Sequence, residues 1–192
     1  MASSDQELVL RARGGDRDAF GALSERHGPR LLRFLATMTG DDALAQDLRQ
    51  DALALALTRL DQLADPARFG AWLLAIAVNR CRTRLQQEVQ RRAQGGDTLE
   101  QLPDQGRRSV FSSIVRRESA ELLALAVDRL PILLREAFVL FHVEELPYAE
   151  IAELTGVAAG TLQVRVHRAR ALLRQQLGPA FDTWWQRPPP PA

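Results

Sequence analysis

Apolar residues recur along this 192-residue chain at helical spacing, and no segment alternates convincingly as a strand. Ser4-Asp5-Gln6-Glu7 has the form of a capping box, opening a helix through about Arg13 that Gly14-Gly15-Asp16 stops. The pattern predicts a second helix from Asp18 to Arg26 and a third from Pro29 to Met38. Thr39-Gly40-Asp41 ends one helix and starts the next, with glycine as C-cap and aspartate as N-cap. A long helix should run from Asp42 to about Leu63, and Asp65-Pro66 breaks the chain again. The next helix, Pro66 to roughly Val89, carries Trp72, Ile76 and Val78 on its apolar side.

The stretch RRAQGGDTLEQLPDQGRRS (91–109) is polar, contains Gly and Pro, and has little to bury, so it reads as a flexible linker. Helical pattern resumes near Ser112, and Leu130-Pro131 marks a further helix start. Leu134, Phe138 and Phe141 then fall at i, i+4, i+7 on one buried face. The chain ends in WWQRPPPPA, which cannot continue a helix. The expectation is an all-α protein of two small helical domains on a tether. Its divisions are residues 1–90, a linker over 91–111, a second domain over 112–178 and a Pro-rich tail over 179–192.

One unit of the second domain is more specific. In LPYAEIAELTGVAAGTLQVRVHRARALLR, Pro147 starts a short helix with Ile151, Ala152 and Leu154 facing inward. Gly156 supplies a turn, Val157 plugs the corner, and a second helix begins near Ala159. That is the spacing of a helix-turn-helix. Leu162, Val166, Ala169 and Leu173 form the packing stripe of the second helix, and Gln163, His167, Arg170 and Arg174 form another stripe flanked by Arg165 and Arg168. Between Thr161 and Leu177 there are four arginines and no acid, whereas Glu144 to Glu153 holds four acids and no arginine. A merely solvated amphipathic helix does not need a turn, a periodicity and a charge segregation that agree. Together they point to DNA.

Composition adds little to that picture. Net charge is +1, so bulk charge names no partner, and all 25 basic residues are arginine, chiefly the mark of a GC-rich genome. The lone Cys81 cannot form an internal disulfide, and with three scattered histidines it makes no zinc site, so a reducing cytoplasm is expected. The N-terminus lacks a signal-peptide core, and no apolar run approaches the ~18 residues that span a bilayer, so no membrane insertion is expected. No Gly-rich phosphate loop, metal cluster or nucleophile motif is present; the expectation is a non-enzyme with no cofactor.

The segment DRLPILLREAFVLFHVEELPYAEIAELTGVAAGTLQVRVHRARALLRQQL resembles region four of bacterial sigma factors of the sigma-70 family, extracytoplasmic-function group. LVLRARGGDRDAFGALSERHGPRLLRFL, DLRQDALALAL and FGAWLLAIAVNRCRTRL resemble region two, in the family's order and with a linker in the family's place. The resemblance implies a dissociable promoter-specificity subunit of RNA polymerase, without catalytic residues and controlled by an anti-sigma factor. Region four would place its second helix in the major groove of the minus-thirty-five element, through Thr161, Gln163, Val164, Arg165, His167 and Arg168, with Arg170 on the backbone. Region two would recognise and melt the minus-ten element, with Asn79, Arg80, Arg82 and Arg84 as candidates, the arginines for backbone contact. Phe69 and Trp72, at i, i+3 beside Ile76, read as core. Asp47, Leu48, Gln50 and Asp51 would bind the polymerase clamp helices; the polymerase flap is a further contact the family implies. On residues alone that acidic face reads as solvated, and it is the resemblance that gives it a partner.

Several positions depart from the family. Gln163-Val164 replaces a frequent basic residue and serine. Glutamine can pair with adenine and valine can touch a thymine methyl, which implies a changed preference. Leu53 stands where an aromatic is frequent, and Thr83 and Gln86 occupy the region where Asp and Arg often follow the asparagine, which bears on melting. Two other readings compete. A sigma-like interaction protein would bind polymerase or an anti-sigma factor without efficient melting, and a plain helix-turn-helix regulator would leave the first half unexplained.

Overall fold

A computed structural model describes residues 3–94, 117–178 and 181. Eight α-helices are present among them: α1 (Asp5–Arg13), α2 (Arg17–Thr39), α3 (Asp42–Thr58), α4 (Phe69–Gln94), α5 (Arg117–Asp128), α6 (Ile132–His142), α7 (Tyr148–Thr155) and α8 (Ala159–Leu177). The expected linker and the restart near Ser112 fall largely outside the described residues, as does the Trp/Pro tail. Phe181, the last described residue, is buried with its ring 5.9 Å from the Arg174 guanidinium.

The capping box forms as expected, with Glu7 N–H donating to Ser4 Oγ at 3.2 Å and Ser4 N–H donating to Glu7 at 3.0 Å. The second and third expected helices are one continuous helix, α2, with Pro29 inside it. A mid-helix proline costs about 3 kcal/mol. Here it is offset by one apolar face that continues across it, because Leu23, Leu31, Phe34, Leu35 and Met38 are all buried. Gly40 caps α2 at φ +64°, and Asp41 opens α3 by accepting from the N–H groups of Ala43 and Leu44. α3 stops at Thr58, short of the expected Leu63. The chain then tightens into a 3-10 turn, Leu60–Gln62, and the carbonyls of Leu60 and of Leu63 just after it accept from the Arg13 guanidinium. A second 3-10 turn, Pro66–Arg68, leads into α4, which runs on to Gln94, past the expected Val89.

The two halves are docked, which a tether alone does not predict. α2 meets α5 and α6, and α4 meets α6 and α7. Arg135 of α6 is 9% exposed and reaches across to donate to the Met38 carbonyl at 2.6 Å, while also donating to the carbonyls of Asp128 and Leu130. A side chain at Gly40 would overlap the Asp128 carboxylate. Cys81 is fully buried, and burial pushes its thiol up to about 12, so it is inert at neutral pH.

Candidate nucleic-acid and polymerase interfaces

α7, its turn and α8 are held by the residues the pattern singled out. Gly156 takes φ +70° at the C-cap of α7, a conformation costly for any residue with a Cβ. Ile151 is fully buried, Ala152, Leu154 and Val157 are partly buried against it, and Val157 N–H donates to Thr155 Oγ1 at 3.3 Å. Leu162, Val166, Ala169 and Leu173 are at most 2% exposed, so α8 is rotationally fixed on α6 and α5.

That rotation decides what α8 can present. Thr161, Gln163, Val164, His167 and Arg168 are exposed, with Val164, at 49%, directly opposite the buried stripe. Arg165 and Arg170 lie on its two flanks and are half-buried. Arg170 turns toward Tyr148 and His142, and burial, reinforced by Arg174, lowers its pKa. Arg170 therefore sits at the edge of the stripe the spacing assigned it to. A flank position suits backbone contact better than base readout.

His142, at the end of α6, packs its ring 4.9 Å from Phe138 and 4.6 Å from Phe141. Burial, with a contribution from the Arg170 charge, lowers its pKa from 6.5 to about 3. The folded chain thus keeps His142 neutral where the unfolded chain protonates it. Stability is full above about 6.5 and is lost as pH falls from 6.5 toward 3, by up to about 1 kcal/mol per pH unit. The urea midpoint of His142→Phe should fall less steeply over that window than that of the parent chain; parallel slopes would contradict the assignment.

In the N-terminal half, α4 buries Phe69, Leu73, Leu74, Ala77, Val78 and Cys81. Phe69 packs on Phe20, His27 and Trp72 at ring distances of 6.4, 5.4 and 6.2 Å, as a core residue, with Trp72 partly buried beside it. Asn79 and Arg80 are exposed, and Arg84 is partly exposed. Arg82 is held by Glu136 of α6 in a two-pronged ion pair, Nε–Oε2 2.8 Å and Nη2–Oε1 2.6 Å, and its side chain is 21% exposed. Thr83, one of the departures, donates its hydroxyl to the Asn79 carbonyl at 2.9 Å; Gln86 is exposed.

On α3, Asp47, Gln50 and Asp51 are exposed on one side. Leu48 is 4% exposed and belongs to the core, so it can position its acidic neighbours and cannot itself meet a partner in this fold. Leu53 is partly buried against the same core. No described helix is long and apolar enough to cross a membrane.

Comparison with known proteins agrees with this layout. The family model described as sigma-70 region 2 matches residues 23–91, and that described as sigma-70, region 4 matches residues 120–173. The RNA polymerase sigma factor CarQ of Myxococcus xanthus is 35% identical over 88% of this chain and 94% of its own. The ECF RNA polymerase sigma factor SigM of Mycobacterium tuberculosis is 35% identical over 91% of this chain and 85% of its own. Among solved structures, CnrH in complex with the cytosolic domain of CnrY superposes with a TM-score of 0.65 at 27% identity, covering 91% of this chain and 97% of that one. The sigma factor RpoE from Bartonella quintana, in complex with the anti-sigma factor NepR, gives 0.66 at 25% identity, covering 82% and 96%. With both regions in order and relatives matched over nearly their full lengths, the chain belongs to the extracytoplasmic-function group of the sigma-70 family of RNA polymerase sigma factors.

Proposed function

We propose that the chain is a promoter-specificity subunit of RNA polymerase that works in the cytoplasm by binding and positioning, with no catalytic chemistry of its own. The observation that carries this reading is the exposed strip Gln163, Val164, His167 and Arg168. It lies on the fixed second helix of a helix-turn-helix, in a chain whose other half matches region two. α8 reads the minus-thirty-five element in the major groove, with Thr161 beside the strip and Arg165 and Arg170 toward the backbone. α4 serves the minus-ten element through Asn79, Arg80, Arg82 and Arg84, on duplex DNA and on the melted strand. The α3 face of Asp47, Gln50 and Asp51 meets the clamp helices, and region four meets the flap. Control by an anti-sigma factor is supported by one solved relative, the sigma factor RpoE in complex with the anti-sigma factor NepR. Mixed with core polymerase, the purified chain should co-elute with it in gel filtration; separate elution at micromolar concentrations would count against the reading.

A second reading, a sigma-like protein that binds without efficient melting, is favoured by one observation, the engagement of Arg82 by Glu136. It predicts co-elution without transcription.

The domain division at 1–90, 91–111 and 112–178, with the tail at 179–192, carries its own expectation. Trypsin should cut first between Arg91 and Arg108 and leave two fragments. First cleavage inside α3 would place the boundary elsewhere.

A further inference from the structure

Val164 is the one large apolar side chain of α8 that the fold leaves outside. It is 49% exposed and takes no part in the core, whereas Leu162, Val166, Leu172, Leu173 and Leu177 are buried or packed against it. A valine there gains the free chain nothing, because it leaves apolar surface in water and its β-branch makes it a weaker helix former than most. A single exposed apolar residue is common and needs no partner. The place of this one on the helix sets it apart.

Around the helix, Arg165 lies about 100° to one side of Val164 and Arg170 about 120° to the other. Guanidinium groups on both flanks can hold the phosphates of the two groove walls, which sets Val164 over the groove floor. On the same outward line, Gly160 lies one turn before it and Ala171 two turns after, both exposed, so nothing bulky holds the helix off the base edges. The polar groups border this line, with Gln163 and His167 on one side and Arg168 on the other.

The floor of a major groove offers hydrogen-bond donors and acceptors and one apolar group, the C5 methyl of a pyrimidine. A valine pressed on any other edge would cover a donor or acceptor and return no hydrogen bond. Thymine carries that methyl, and so does cytosine once it is methylated at C5. The two differ at the 4-position, an acceptor in thymine and a donor in cytosine. Valine has no group that senses this difference.

We propose that Val164 reads the pyrimidine C5 methyl itself, so that at the base pair it covers this chain selects thymine by its methyl and binds 5-methylcytosine more tightly than cytosine. Methylation of a cytosine in the element is then a change that the chain registers. The inference rests on the major-groove role of α8 proposed above.

Exchanging one methyl group at a time in the DNA tests this. The full chain on core polymerase first selects duplexes from a pool with a randomised upstream segment. Each thymine of the selected element is then replaced in turn by uracil, and by cytosine with and without its C5 methyl. At one position the uracil form should bind about fourfold more weakly than the thymine form, the worth of one buried methyl-sized group, and cytosine placed there should gain about fourfold on methylation. Val164→Ala should keep its helical content, since Val164 supports no packing, and should bind both members of each pair alike. Equal affinity for thymine and uracil forms at every position, or the same methyl dependence in Val164→Ala, would overturn the inference and leave the proposed function standing. Failure of the parent complex to enrich any upstream sequence would contradict the proposed function, and the inference with it.

Discussion

Alanine at Gln163, His167 or Arg168 is expected to weaken binding to the preferred minus-thirty-five duplex by about 1–3 kcal/mol and binding to unrelated duplex much less. The reason is the fixed rotation of α8. Its buried stripe leaves these three side chains and Val164 pointing away from the domain, where a major groove can receive them. Glutamine offers a two-pronged match to adenine and arginine one to guanine, so each lost contact falls on particular base pairs. Arg165→Ala and Arg170→Ala should behave differently. From the flanks they can reach phosphates, so each should weaken all sequences alike and reduce the salt slope by about one. Titrations of the single variants on specific and scrambled duplexes at several salt concentrations separate the two groups. Equal losses on both duplexes for every variant would reduce the strip to a nonspecific basic surface.

Reversing charge at Asp47 and Asp51 together is expected to lower affinity for core polymerase by about a hundredfold or more, from the several kcal/mol that like-charge juxtaposition costs at an interface. The two carboxylates are one helical turn apart and exposed, and the core beneath them is supplied by Ala45, Leu48 and Ala52. Asp47→Arg/Asp51→Arg should therefore keep its helical content and its binding to minus-thirty-five duplex while failing to co-purify with core. Undiminished co-purification would remove α3 from the polymerase contact.

How much of this was legible in the sequence depended on how local the determining physics is. The capping box at Ser4, the Gly40 and Gly156 caps and the stripe from Leu162 to Leu173 are set within a few turns, and all formed as read. Pro29 misled because its local penalty is outweighed by packing against helices far along the chain. Leu48 was placed by a motif that does not say which side of α3 faces inward. Arg82 and Glu136 are 54 residues apart, and no periodicity links them, so the docking of the halves could be found only in three dimensions. Arg170 shows a finer limit, since helical spacing groups it with Gln163 but does not say how wide the buried stripe is.

The central claim, that this chain directs polymerase to promoters, is tested most directly by transcription of fragmented genomic DNA from the source organism with purified core polymerase, with and without the chain, and mapping of the RNA 5′ ends. New, discrete start sites should appear only with the chain and share a common pair of upstream elements. An unchanged set of 5′ ends from a core enzyme that has demonstrably bound the chain would contradict it.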